Sequence, residues 1–172
     1  MNRNLLLEAH HSQDMVPHLA TLQRLATGKA RIVEFGVRTG VSTWAMLDVM
    51  PADGLLWSWD VVDVRLDPGH CPEDHFPYRV SGDPRWTLVV GNSATADVPF
   101  RPDLLLIDSS HERDHTLKEL AVADRWRVPT IVLHDWNLPA IREAVETFVA
   151  AGRYHIVDFE DSEWGLVWLS RY

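Results

Sequence analysis

The sequence predicts an α/β fold: a doubly wound, mostly parallel seven-stranded sheet with an antiparallel hairpin strand at its C-terminal end. Three observations predict it. Helix and strand patterns alternate along the chain, which requires crossover helices and a covered sheet. Strand after strand ends in polar residues, as expected where parallel strands share one functional edge. Near the C-terminus, Tyr154–Phe159 and Trp164–Ser170 flank the polar turn Glu160–Glu163 and read as a hairpin.

The elements follow in order. A helix starts near Asp14 or Pro17 and buries Met15, Leu19, Leu22 and Ala26. Arg31–Phe35 is the first strand. Gly36 and Gly40 then allow a tight turn, and Ser42 or Thr43 is placed to cap a helix over Thr43–Met50. Pro51 and Asp53-Gly54 end it, and Leu55–Trp59 is a strand finishing at Asp60. Arg65 to Pro84 holds four prolines and reads as a surface lid or flap. Trp86–Val90 and Asp103–Ile107 are strands. Glu112–Trp126 is a helix packed through Leu117, Leu120 and Ala121. Thr130–Leu133 is the fifth strand. Pro139–Ala151 is a helix with Pro139 at its first position, a stripe at Ile141, Ala144, Val145 and Phe148, and Gly152 past its end.

Composition narrows the class. The 172 residues fit one domain, with residues 1–29 as an N-terminal helical cover and 30–172 as a ligand-binding core. A net charge of −9 argues against a nucleic-acid groove, which needs a basic footprint. Cys71 is the lone cysteine, so no internal disulfide forms and a cytoplasmic setting fits. The longest N-terminal apolar run, Leu5-Leu-Leu7, is too short for a signal sequence or a membrane span. A thin N-terminal cover is consistent with a homo-oligomer.

The strand ends carry the chemistry. Glu34 to Thr39, Asp60, Asn92-Ser93, Asp108 to His111 and His134-Asp135 all follow strands. In an open parallel sheet these ends converge on one crevice. Asp60 lies one helix and one strand beyond Gly36, about 20 residues on, where a nucleoside-binding βαβ unit places its ribose acceptor. The turn Gly36-Val-Arg-Thr-Gly40 is neither GxGxxG nor a Walker loop. His70-Cys71 with Asp74-His75 matches no standard zinc spacing.

Glu34-Phe-Gly-Val-Arg-Thr-Gly-Val-Ser-Thr43 resembles the first motif of class I S-adenosylmethionine-dependent methyltransferases, a Rossmann-like family. Leu105-Leu-Ile-Asp-Ser-Ser-His111 and Ile131-Val-Leu-His-Asp135 resemble the IDG.H and HD segments of the branch that holds small-molecule O-methyltransferases and cephalosporin hydroxylase relatives. Trp164-Gly-Leu-Val-Trp168 is similar to that family's final antiparallel strand. The resemblance implies that Glu34, Gly36, Val37, Arg38, Thr39, Gly40, Ser42 and Thr43 hold the amino-acid end of S-adenosylmethionine. It implies Asp60, with Val61 beside it, for the ribose; Gly91, Asn92 and Ser93 for the adenine; and Asp108 for the methionine end. In metal-using relatives Mg2+ sits on an acid at the position of Asp108 and a pair at 134–135, which points to Asp108, His134 and Asp135 here. Arg127-Val-Pro-Thr130 replaces the family's Pro-Gly-Gly turn, and His134 stands where those relatives carry an acid.

Methyl transfer to a hydroxyl of a small-molecule acceptor needs alignment and removal of a proton. His111, Asp108, His134 and Asp135 are the candidates, with His111 first because a neutral imidazole suits the task near pH 7. Two other readings compete. One is a non-catalytic or assembly module that retains the fold and nucleoside pocket. The other is an NAD-dependent oxidoreductase using Asp60, against which the missing GxGxxG and the terminal hairpin both count.

Overall fold

The computed structural model describes residues 14–66 and 82–172. Most of the segment expected to form a proline-rich lid, residues 1–13 of the expected N-terminal cover, and His70, Cys71, Asp74 and His75 lie outside them. A 3-10 turn, Val16–His18, leads into helix α1, Leu19–Ala26. The chain continues through β1 (Arg31–Phe35), α2 (Val41–Leu47), β2 (Leu55–Asp60), β3 (Trp86–Val90), β4 (Leu104–Ile107), α3 (Arg113–Trp126), β5 (Thr130–His134), α4 (Pro139–Val149), β6 (Tyr154–Glu160) and β7 (Leu166–Arg171).

The seven strands form one sheet in the order β3-β2-β1-β4-β5-β7-β6. The first five are parallel, and β7 runs antiparallel between β5 and β6. The predicted fold class is the observed one. Side-chain alternation explains the two layers. Ile32, Leu104, Leu106 and Val132 point to the face covered by α1 and α2. Their neighbours Val33, Phe35, Leu105, Ile107, Ile131 and Leu133 point to the face covered by α3 and α4. Both faces are buried, so the strands read as continuous apolar runs. Each fully buried side chain of this kind contributes about 1.5–3 kcal/mol.

Two local expectations are corrected. Helix α2 starts at Val41, two residues before the expected Thr43, and Gly40 in the left-handed region (φ 75°) is its N-cap. Ser42 and Thr43 do not cap it, because a buried carboxyl claims both hydroxyls. The buried stripe of α3 is Thr116, Glu119, Leu120, Val122 and Ala123, while Ala121 faces solvent. Trp136 is buried against Phe159, with the Arg142 guanidinium over its ring.

Candidate active site

The order of strands reverses between β1 and β4, so the crevice opens outside the ends of those two strands. The Gly36 N–H donates to the Trp59 carbonyl at 2.8 Å, and the Asp108 N–H donates to the Phe35 carbonyl at 2.7 Å. These bonds draw three strand ends together. Gly36 has φ 89°, and a Cβ there would sit 2.0 Å from the Asp108 carbonyl oxygen. Only glycine permits that approach.

Asp60 clamps the turn. Its Oδ2 accepts the Val37 N–H at 2.9 Å and the Arg38 N–H at 3.2 Å, and its Oδ1 accepts the Val62 N–H at 3.1 Å. A carboxylate offers about four lone-pair positions, so the described residues leave one on Oδ1 open to a ligand. Val61 is exposed just beyond it. Glu34 is placed differently from the expectation of a carboxyl facing the ligand. It is fully buried beneath the turn, where Oε1 accepts from Ser42 (2.6 Å) and Oε2 from Thr43 (2.7 Å) and Ser58 (2.6 Å). Burial pushes its carboxyl up to about 7, against the hydroxyls that pull it down. Its work is to hold the β1 end to α2 and β2.

At the β3 end, the Gly91 N–H donates to the Asp60 carbonyl, and Asn92 Oδ1 caps the 3-10 turn Ser93–Thr95 through the Ala94 N–H. Asn92 is exposed. Ser93 instead points inward, toward Glu119 of α3.

Past β4 and β5 lies a cluster of charge. His111 Nε2 is 2.8 Å from Asp135 Oδ2, and the His111 side chain is 60% exposed while Asp135 is buried. His134 is buried, with Nδ1 3.2 Å from both Asp108 Oδ1 and Asp135 Oδ2. The contacts are ionic and off-axis, since Nδ1 has no aligned hydrogen-bond acceptor. Nε2 is 3.2 Å from the Asp14 carbonyl. Both ring nitrogens therefore face only oxygens, and the two carboxylates beside Nδ1 favour the charged, doubly protonated ring. Burial opposes that charge, but Asp108 and Asp135 outweigh it and lift the imidazole to about 10. Asp108 is raised by burial despite His134, with Asp135 and Asp14 adding to the rise. Asp135 resists burial and is lowered, because His134 and His111 both face it.

This geometry alters the expected metal set. His134 is not among the residues whose ligand atoms converge. Asp108, His111 and Asp135 do fit: one ligand atom from each lies within 4.8 Å of the others. His134 likewise fits a charge-holding role rather than that of a base.

Asp14, Met15, Val37, Arg38, Thr39, Val41, Ser42 and Asp108 line a crevice here. Asp14 pairs with Arg38 across it. His18 anchors this N-terminal turn, with Nδ1 2.7 Å from Glu160 and Nε2 2.9 Å from Ser162, and its ring stands edge-on to His134. Sequence reasoning missed Asp14, His18 and Glu119. Only Glu119 left a signal, an acid inside the buried stripe of a helix. Among the described residues, no helix is long and apolar enough to cross a membrane.

Solved structures share this fold. An O-methyltransferase from Bacillus cereus, in complex with SAH, matches with a TM-score of 0.73 at 13% identity, over 100% of this chain and 92% of its own. TomG, the O-methyltransferase of tomaymycin synthesis from Streptomyces achromogenes, in complex with SAM, matches with 0.73 at 16% identity, over 99% and 90%. A candidate rRNA methylase from Clostridium thermocellum matches with 0.66 at 12% identity, over 92% and 97%. Neighbours with such different acceptors show the fold and leave the acceptor to the site. No curated protein sequence matches the chain. The sequence profile of the methyltransferase domain matches residues 33–136, more than half of the chain, and the chain belongs to that methyltransferase domain family.

Proposed function

We propose that this protein binds S-adenosylmethionine at the β1–β4 switch point and methylates a hydroxyl of a small molecule. The observation that carries the reading is the convergence, at one crevice, of an Asp60-clamped glycine turn and the His111–Asp135 pair. The SAM and SAH held by the O-methyltransferase neighbours support the choice of donor. The charge of −9 favours a small acceptor over a nucleic acid.

When bound, S-adenosylmethionine supplies an electrophilic methyl on a sulfonium: the C–O bond forms as the C–S bond breaks, and S-adenosylhomocysteine leaves. The chain's residues do the rest. The N–H groups at Val37 and Arg38, fixed by Asp60, set the shape of the turn against which the amino-acid end rests, and the free lone pair on Asp60 Oδ1 takes a ribose hydroxyl. His111, as its Nε2–H tautomer, donates to Asp135. Its Nδ1 then takes the acceptor's hydroxyl proton, and Asp135 stabilises the imidazolium that results. Asp135 orients His111, and His134 offsets the charge of the buried Asp135 and the half-buried Asp108.

A second reading rests on the three ligand atoms within 4.8 Å. Asp108, His111 and Asp135 would hold a divalent cation such as Mg2+, which would polarise the acceptor hydroxyl and lower its pKa. His111 would then be a ligand and not a base.

Calorimetric titration of the folded protein with S-adenosylmethionine tests the donor, and Asp60→Ala should weaken binding at least about tenfold. Transfer of labelled methyl to a panel of phenols, catechols and sugars tests the chemistry. His111→Gln should lower the rate about 10²- to 10⁴-fold with donor affinity kept. Dependence of the wild-type rate on added Mg2+ or Mn2+ would favour the cation reading. Absence of binding by folded protein overturns the proposal.

A further inference from the structure

We propose that Glu119 is a positioning residue that ties the loops after β3 and β4 into a single wall of the crevice. The inference rests on the reading of that crevice as the S-adenosylmethionine site. Glu119 lies on the second turn of α3, fully buried. Its Oε1 accepts the hydroxyl of Ser93, from the loop after β3, and the hydroxyl of Ser109, from the loop after β4, the latter at 2.5 Å. His115 Nε2, one turn earlier on α3, lies 3.1 Å from Ser93 Oγ and 3.3 Å from Glu119 Oε1. One oxygen thus joins two loops that β-sheet hydrogen bonds do not join: β3 and β4 are separated in the sheet by β2 and β1.

The two loops flank the donor site from opposite sides. Asn92 and Ser93 form the border assigned to the adenine, and Ser109 directly follows Asp108, which lines the crevice. Their separation sets the distance between the two ends of a bound nucleoside and the reacting group. Packing alone does not explain a carboxyl here. Its second oxygen, Oε2, is buried with no hydrogen-bond partner among the described residues, and burial pushes the group up even against the two serine hydroxyls. A Leu or Met would fill the same space without burying an unpartnered oxygen such as Oε2. The carboxyl has a use only if the two serine hydroxyls must be held.

The test compares Glu119→Gln, which keeps a carbonyl oxygen for both hydroxyls, with Glu119→Leu, which does not. Expected are a rise of about tenfold in the S-adenosylmethionine Kd and KM for Glu119→Leu, little change in acceptor KM, and recovery to within about threefold of wild type in Glu119→Gln. The variant Ser93→Ala/Ser109→Ala should reproduce the Leu phenotype, and adding Glu119→Leu to it should change Kd by less than about twofold. If Glu119→Leu does not fold, the serine pair carries the comparison. Unchanged donor affinity in folded Glu119→Leu, or in the serine variant, overturns the proposal. Should wild-type protein bind no S-adenosylmethionine, the reading of the crevice fails. Amide exchange at residues 92–96 and 108–111 then decides the tie: both segments must speed up together in the variants, and acceleration of neither or of only one overturns it.

Discussion

Replacing Glu34 by Gln should remove a pH dependence of stability that the wild-type protein carries. Glu34 is fully buried, and its pKa is raised from 4.5 to about 7 in the folded chain, first by burial and with a smaller push from Asp108. Below pH 4.5 the carboxyl is protonated in both folded and unfolded chains, and no penalty exists. Between 4.5 and 7 the unfolded chain releases the proton while the folded chain keeps it, so stability falls as pH rises. Above 7 both forms are ionised and the penalty is constant. A shift of 2.5 units at about 1.36 kcal/mol each amounts to about 3 kcal/mol. Urea unfolding at pH 4.5, 6 and 8, for wild type and Glu34→Gln, reads the difference directly. The Gln variant should gain about 3 kcal/mol relative to wild type from the acid end to pH 8, with equal m-values. A difference between the two proteins that stays flat with pH refutes the reasoning. The same variant should keep its affinity for S-adenosylmethionine within a few-fold, since Glu34 lies beneath the glycine turn.

Gly36→Ala should be far more damaging, because its Cβ would meet backbone 2.0 Å away at φ 89°. Left-handed strain of about 1–2 kcal/mol and overpacking of about 1–3 kcal/mol sum to roughly 2–5 kcal/mol, or a melting temperature lower by about 4–20 °C. An unchanged melt would contradict the packing. His134 predicts the opposite end of the pH scale. Its imidazole is raised from 6.5 to about 10, so its contribution is complete below pH 6.5 and lost as pH climbs toward 10. Wild type should lose stability across that window, whereas His134→Gln should not, as denaturant titrations at pH 6 and 9.5 would show.

What the sequence revealed and what it hid have separate physical causes. Strands β1, β4 and β5 are buried on both faces, so their apolar runs stand out, and Pro139 and Gly152 mark α4 by backbone constraints that act locally. The meeting of Asp108, His111, His134 and Asp135 followed from topology, because parallel strands end on one edge. Side-chain direction was not local. Glu34 and Gly36, two positions apart, look like one motif, yet Glu34 turns down onto Ser42, Thr43 and Ser58, and only tertiary neighbours decide that. His134 reads as a metal or catalytic residue until Asp14, 120 positions earlier, presents its carbonyl to the second nitrogen. Glu119 shows the same effect: its serine partners belong to two other loops.

The place of β7 has a consequence in time. It is the last strand in sequence, yet it lies inside the sheet, between β5 and β6. During synthesis β5 holds an unsatisfied edge, with Ile131, Val132 and Leu133 awaiting covers, until Leu166–Arg171 emerges. At roughly 5–20 residues per second that interval lasts seconds, long compared with the collapse of the preceding strands. The nascent chain is thus a half-built sheet with an apolar, hydrogen-bonding rim, the kind of edge that recruits other chains. Val167 and Leu169 close that edge when β7 pairs with β5.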